Sequence, residues 1–432
     1  MSELWFKFAT AQICSHNFFF KNYKMASNAS QLTFDCFDPS QKEAITQYLQ
    51  MPARQLNLPS ALVGGNNLVA DPKGKVALSE DAAKKLAPES IPYLPTWNKN
   101  EKYEPYEFQE HHDNALKADK DFPNLFPKDK KAEVTTISPK LGTEIKGVQL
   151  TQLNDAGKDE VALLASQRGV LVFRDQDLIA KGPEYLTNYV SHYGRLHIHP
   201  TSGAPQNHPD IHSVLTGDTK EDPFEKRNRL VGFHSDVSYE LNPTGVSFLA
   251  VTNIPKTGGG DTVFADNIEA YNRLSSKFKE KLQDLYAVHS GVEQANHAVV
   301  KGGVVKRHPV ENVHPIVRTT PSGQKVLYVN NGFTRRIADL KTEESEYLLK
   351  FLLDHVNNGH DFQIRVNWQP GTVVIFDNRI VSHSAILDFD TTDSRLIIRA
   401  ASRAERPVHD LKDLNKPDEN NVYEGLEYFG GR

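Results

Sequence analysis

The chain has 432 residues, 38% hydrophobic and 24% charged, with 50 basic against 55 acidic side chains and a formal net charge of −5. That length suits one large domain or two ordinary ones, and the charge balance, with no polybasic arm, argues against a nucleic-acid surface. Only two cysteines occur, Cys14 and Cys36, so a disulfide framework and a cysteine-rich zinc site are excluded, and a metal would fall to carboxylates and the 17 histidines.

Residues 1–24 are apolar and acid-poor but contain no arginine. They lack the unbroken apolar core of a secretory signal and the arginines of a mitochondrial presequence. They are expected to be a disordered extension or an over-called start, because Met25 opens a more ordinary N-terminus. Residues 25–133 are punctuated by turn sequences such as GGNN (64–67), DPKGK (71–75), LPTW (94–97) and YEPYEF (103–108). One helix is expected at 79–86, and the segment is expected to wrap the rest of the chain without a core of its own. No apolar run reaches the length of a membrane span. Cysteine usage fits a reducing compartment, and a cytoplasmic location is expected.

The texture changes at Val134. KLGTEIKGVQL (140–150) reads as a Gly-punctuated hairpin, and 156–169 as an amphipathic helix ended by Gly169. GVLVFRD (169–175) reads as a buried strand, and 183–194 as a helix opened by Pro183. Strands are expected at 246–254, 261–266, 325–330, 362–368, 372–377 and 395–401, where β-branched and aromatic residues concentrate. Helices are expected at 268–289 and 342–355. Short strands over long intervals, without strand–helix alternation, predict a mainly β, α+β domain over 134–407 built on a double sheet such as a jelly roll. Residues 408–432 read as a tail.

GFHSDVSYE (232–240) places His234 and Asp236 two apart, so an extended backbone points both to one side. His383, after the strand 372–377, is the candidate third ligand. Two histidines and one carboxylate on one face of a metal leave three positions open, as iron(II) oxygenases require; a structural zinc site fills its positions with protein ligands. Taken alone, an H-x-D pair is a frequent chance occurrence.

In RLIIR (395–399), Arg395, Ile397 and Arg399 share one face and Leu396 and Ile398 the other. Either this is an edge strand whose arginines meet water, or the arginines face inward and meet anions. A guanidinium forks onto a carboxylate, and Thr262 in GGGDTVFAD (258–266) offers a further hydroxyl. The spacing of Arg395 from His383, twelve residues, favours a metal and an anion anchor on neighbouring strands.

Taken together, LHIHP (196–200), FHSDVSYE, GGGDTVFAD, HPIVRT (314–319), YVNNGFTRRI (328–337), DNRIVSHSAI (377–386) and RLIIRAASRAERP (395–407) resemble the taurine/2,4-D dioxygenase family of 2-oxoglutarate-dependent oxygenases. The likeness is strongest to the fungal sulfonate dioxygenases, which LPTW and 111–126 also resemble. It implies a double-stranded β-helix (jelly-roll) core, Fe(II) held by His234, Asp236 and His383, and 2-oxoglutarate held by Arg395 and Thr262. It further implies O2 as oxidant, ascorbate as a support for activity, and a homo-oligomer, dimer or tetramer.

By the same resemblance, His199 and Arg399 contact a substrate sulfonate and Phe333 walls the pocket, giving aldehyde, sulfite, succinate and CO2. The chain departs from the bacterial taurine pattern at Ser202 (Tyr there), Leu230 (Asn), Phe233 and Phe376 (both Trp). A bulkier sulfonate or a sulfate ester is therefore as good an expectation as taurine. A xanthine-like purine and, outside the class, a zinc-type hydrolase at the same triad remain as rivals, as does a sulfonate-binding protein with a dead metal site. Residues 203–229 read either as a lid or as a plain surface loop.

Overall fold

Every side chain of the strand Val170–Phe173 is buried, yet they serve two different cores. Leu171 and Phe173 join one apolar cluster; Val170 and Val172 join another. The period-two alternation of a strand is the cause, and it runs through the whole fold. This computed structural model describes residues 68–71, 75–217, 231–300, 303–390 and 392–418. All of them belong to the compact unit Ala44–Arg432.

The strand Val170–Phe173 sits in a 7-stranded sheet. Its order is Glu133–Thr136, Thr143–Lys146, Val170–Phe173, Val373–Asp377, Thr244–Asn253, Arg395–Arg403 and Ile211–Thr216. Only the pairing of Thr143–Lys146 with Val170–Phe173 is parallel. The outer face carries Leu171, Phe173, Phe248, Ile375, Leu396 and Ile398. It packs against the helices Asp155–Arg168 and Pro183–Val190 and against Leu86, Tyr93, Ala115 and Leu125 from the N-terminal segment. The inner face carries Val170, Val172, Leu249, Val374 and Phe376, which cluster with Phe264, Ile364, Val366 and Val381. Those four belong to a 3-stranded sheet, Gln363–Val366, Thr262–Asp266 and Val381–Ala385.

The protein is thus mixed α+β with several sheets. A further 3-stranded sheet joins Glu311–Pro315, Tyr286–Ser290 and Thr334–Ile337. Among the described residues, no helix is long and apolar enough to cross a membrane.

Local chemistry sets the boundaries. Asn154 caps Asp155–Arg168 by accepting from Gly157 N at 2.8 Å. Gly169 ends that helix at φ +68°, where a side chain would be strained and a Cβ would lie 2.7 Å from Leu141 Cδ1. The helix buries more than one stripe: Glu160 is fully buried, receiving the backbone N–H groups of Asn124 and Leu125. The N-terminal segment thereby supplies donors to a carboxylate of the main core.

Two expectations need correction. The hairpin does not lie within 140–150; Thr143–Lys146 pairs with Glu133–Thr136 across the turn 137–142. The helix expected over 268–289 is two short helices and a strand: Asn267–Asn272, Ser276–Leu282 and Tyr286–Ser290. Asp266 and Ser275 each cap a new helix start, and Tyr286–Ser290 finds strand partners on both sides. Of the two alternatives for 395–399, the inward one agrees with the structure: Arg395 and Arg399 are 1% and 7% exposed, on the inner face. The small helix expected at 79–86 is present over Glu80–Ala83, capped by Ser79.

A candidate metal centre

The inner face of the large sheet positions the site. His234 and His383 sit opposite each other in an antiparallel bridge, His234 N donating to His383 O at 3.0 Å and His383 N to His234 O at 2.8 Å. Directly opposed residues project to the same side, so two histidines far apart in sequence bring their rings to 4.3 Å. His383 lies within the strand Val381–Ala385, not after one. Asp236 joins them: its Oδ1 is 3.7 Å from His234 Nε2 and 3.8 Å from His383 Nε2. One ligand atom from each of the three residues falls within 4.8 Å of the others, and all three are buried.

The segment around Asp236 is held from behind. Asn378 Oδ1 accepts from Asp236 N at 2.7 Å, and Asn378 Nδ2 donates to Asp236 O and Thr244 O. The next residue, Val237, has φ +46°, a left-handed conformation costly for a β-branched residue. Arg379, after Asn378, is buried with Asp377 at 2.7 Å, Asp113 at 2.5 Å and Glu405 at 3.4 Å, and Glu405 also receives Arg318 at 2.6 Å. Asp113 comes from the N-terminal segment, so that segment helps fix the strand carrying His383.

Protonation states suit a metal. Burial lowers His234, and burial with the neighbouring His234 brings His383 down to about 3. Burial alone would raise Asp236, but Arg399 and the two imidazoles outweigh it and hold the carboxyl well below its usual range. At neutral pH the set is two neutral imidazoles and a carboxylate, the forms that ligate. His234 Nδ1 donates to Gly232 O at 3.1 Å, which leaves Nε2 with its lone pair. Asp236 Oδ2 is buried without a hydrogen-bond partner among the described residues. The donor set therefore fits a divalent metal.

One strand, Arg395–Arg403, supplies two buried guanidiniums. Arg399 Nη1 lies 2.5 Å from Asp236 Oδ1. Arg395 donates to Gly260 O at 2.5 Å, while its Nε is buried without a partner among the described residues. The nearby acids Asp261 and Asp388 are instead bonded to Arg365, at 2.5 and 2.7 Å. Burial brings Arg395 down to about 10. Gly260, at φ +69°, permits the approach, since a Cβ there would stand 2.9 Å from Arg395 Nε. Thr262 is buried two residues further on, at the start of its strand.

His199 Nδ1 accepts from Thr201 N at 3.3 Å and Ser202 N at 3.1 Å, so the neutral ring carries its proton on Nε2. Its ring stacks on His212 at 4.3 Å. Phe333 stands edge-on to His234 at 6.2 Å and to Tyr239 at 4.9 Å. His197 Nε2 is 3.2 Å from both Glu240 Oε1 and Arg307 Nη2. Leu230 and residues 218–229 of the suggested lid lie outside the described residues, as do residues 1–24.

Sequence reasoning missed Tyr106 and His212. The Tyr106 ring lies between the guanidiniums of Arg307 and Arg403, at 3.8 and 3.9 Å, and its hydroxyl accepts from Ile198 N at 2.8 Å, between His197 and His199. YEPYEF carries no periodicity that could have marked it. His212 lies in IHSVLT, whose alternation around one polar inward position was the available signal.

The model of the family described as taurine catabolism dioxygenase TauD, TfdA matches residues 133–401. The chain is 49% identical over 334 residues to an alpha-ketoglutarate-dependent sulfonate dioxygenase of Saccharomyces cerevisiae, covering 76% of this chain and 80% of that protein. It is 40% identical over 328 residues to the alpha-ketoglutarate-dependent dioxygenase cnsP of Penicillium expansum, covering 73% and 86%. Among solved structures, a taurine dioxygenase from Burkholderia xenovorans superposes with a TM-score of 0.51 at 28% identity, covering 64% of this chain and 91% of that one.

Proposed function

This chain belongs to the TauD, TfdA family of 2-oxoglutarate-dependent dioxygenases, and on that premise we propose that it oxidises an organosulfonate at the carbon bearing sulfur. The observation that carries the reading is the pair of buried arginines on one strand face. Arg399 reaches Asp236 of a His–Asp–His triad, and Arg395 lies four residues earlier on the same strand. A diacid cosubstrate occupies one anion site; the second calls for an anionic substrate. The name borne by the Saccharomyces relative supports a sulfonate as that anion.

In this reading His234, Asp236 and His383 would hold Fe(II). Arg395 and Thr262 would hold the far carboxylate of 2-oxoglutarate. Iron(II) with 2-oxoglutarate and O2 supplies an oxidant able to take hydrogen from carbon. The protein's part is placement and exclusion of water. His199 and Arg399 fix the sulfonate so that the adjacent C–H faces the metal, and Phe333 closes the wall beside His234. Hydroxylation of that carbon gives a species that breaks its C–S bond. Organosulfonate, 2-oxoglutarate and O2 thus become aldehyde, sulfite, succinate and CO2. The two sheets facing each other across the inner core support a jelly-roll, double-stranded β-helix arrangement of the core.

A succinate-release screen across alkanesulfonates, alkyl sulfates and xanthine tests the substrate class. Sulfite formed in step with succinate is expected. Succinate formed only with xanthine, and insensitive to Arg399→Ala, would replace the sulfonate by a purine. Product formed without oxygen consumption would point to hydrolysis.

A further inference from the structure

Granting the organosulfonate reading above, we infer that His212 is a third donor to the anionic head of the substrate, beside His199 and Arg399. His212 and Arg399 are direct cross-strand partners on Ile211–Thr216 and Arg395–Arg403. Opposed residues share a face. The Arg399 side chain reaches Asp236 on that face, so His212 is on the metal side of the sheet.

Its ring lies 4.3 Å from that of His199, tilted by 29°. The residue is 9% exposed, and neither ring nitrogen has a hydrogen-bond partner among the described residues. Burying an imidazole with both nitrogens unmatched costs free energy that an apolar side chain of that volume would avoid. A ligand that accepts a hydrogen bond removes the cost. The neighbours select its charge: burial first, and the Arg399 guanidinium second, hold both imidazoles well below their ordinary range, so they stay neutral beside a cation and favour an anion as ligand.

Geometry selects its shape. His199 has one nitrogen committed to the backbone and its N–H available on the other. With His212 and Arg399, donors come from three separate side chains on two strands and a loop. A carboxylate presents two oxygens in one plane; a sulfonate or sulfate group presents three around a tetrahedral centre. Three donors suit the latter. The pocket therefore discriminates for tetrahedral oxyanions, and His212 is one of the residues that does so.

The test uses the full chain loaded with Fe(II) and saturated with 2-oxoglutarate. Ethanesulfonate is the probe, its binding measured by calorimetry without oxygen and its turnover by sulfite release. His212→Leu is expected to raise both Kd and KM for ethanesulfonate about tenfold or more, the usual cost of losing a hydrogen bond to a charged group. The effect should fall on KM rather than kcat, with the Kd for 2-oxoglutarate unmoved. His212→Gln, which restores a donor and is less disruptive if the leucine variant fails to fold, should recover part of the affinity. A Kd for ethanesulfonate within twofold of wild type in His212→Leu, or in His212→Phe should the leucine variant not fold, while Arg399→Ala abolishes binding, overturns the role of His212 and leaves the substrate class standing. A wild-type chain that binds neither ethanesulfonate nor an alkyl sulfate overturns both.

Discussion

Replacing Arg395 by methionine should push two properties in opposite directions. The guanidinium is 1% exposed, bonded only to Gly260 O among the described residues, and brought down by burial from 12.5 to about 10. A depression of that size means the ligand-free fold carries a buried cation at a cost of about 3 kcal/mol. Methionine keeps the unbranched stem and removes the charge. Against that gain stands the lost bond to Gly260, about 1–3 kcal/mol. The ligand-free variant should therefore be as stable as wild type, or more stable by up to about 2 kcal/mol. Binding of 2-oxoglutarate should fail, because a buried carboxylate that loses its guanidinium partner loses about 3–5 kcal/mol, or a factor of about 10² to 10⁴ in Kd. Urea unfolding of the ligand-free protein and calorimetry with 2-oxoglutarate on the metal-loaded protein measure the two effects. A variant that binds 2-oxoglutarate within threefold of wild type would refute the assignment. One destabilised by more than about 2 kcal/mol without ligand would refute the claim that Arg395 is unsatisfied until an anion arrives.

Three further outcomes are expected. Arg379→Met leaves Asp113, Asp377 and Glu405 buried with less compensation and should cost about 3–5 kcal/mol in urea unfolding; a loss under 1 kcal/mol would mean the network is solvated. Tyr106→Phe removes the acceptor for Ile198 N and should cost about 1 kcal/mol of stability while raising KM for the sulfonate more than KM for 2-oxoglutarate; equal changes would show that Tyr106 does not act through the His199 segment. Asp266 is raised to about 6 by burial, so its protonated form is favoured in the fold; that contribution is complete below about pH 4 and disappears as pH rises through 6. Asp266→Asn keeps an acceptor for the helix cap, so its melting temperature should exceed that of wild type by more at pH 8 than at pH 4.5, and the reverse order would sink the account.

Much of the site was legible in the chain. H-x-D, the later His383 and the alternating RLIIR are short-range patterns, and alternation is a property of extended backbone that needs no tertiary information. Helices with strong caps or Gly and Pro boundaries were legible for the same local reason, as at Asn154, Gly169 and Pro183. The stretch 268–289 misled because its helical periodicity is real up to Leu282, while Tyr286–Ser290 becomes a strand only through partners at 311–315 and 334–337.

What the sequence by itself determined was which residue types are present for chemistry and which of them share a face. The tertiary structure alone decided whether that face looked inward. An arginine on an alternating strand is the same sequence at a wet edge or over a metal, and only tertiary packing, which brings Asp236 to Arg399 and Gly260 and Phe389 to Arg395, buries the two side chains. The same holds for His212, Tyr106 and Asp113. Each acts on a partner 90 or more positions away, at Arg399, Ile198 and Arg379, and no local periodicity encodes a contact made through cross-strand register and packing.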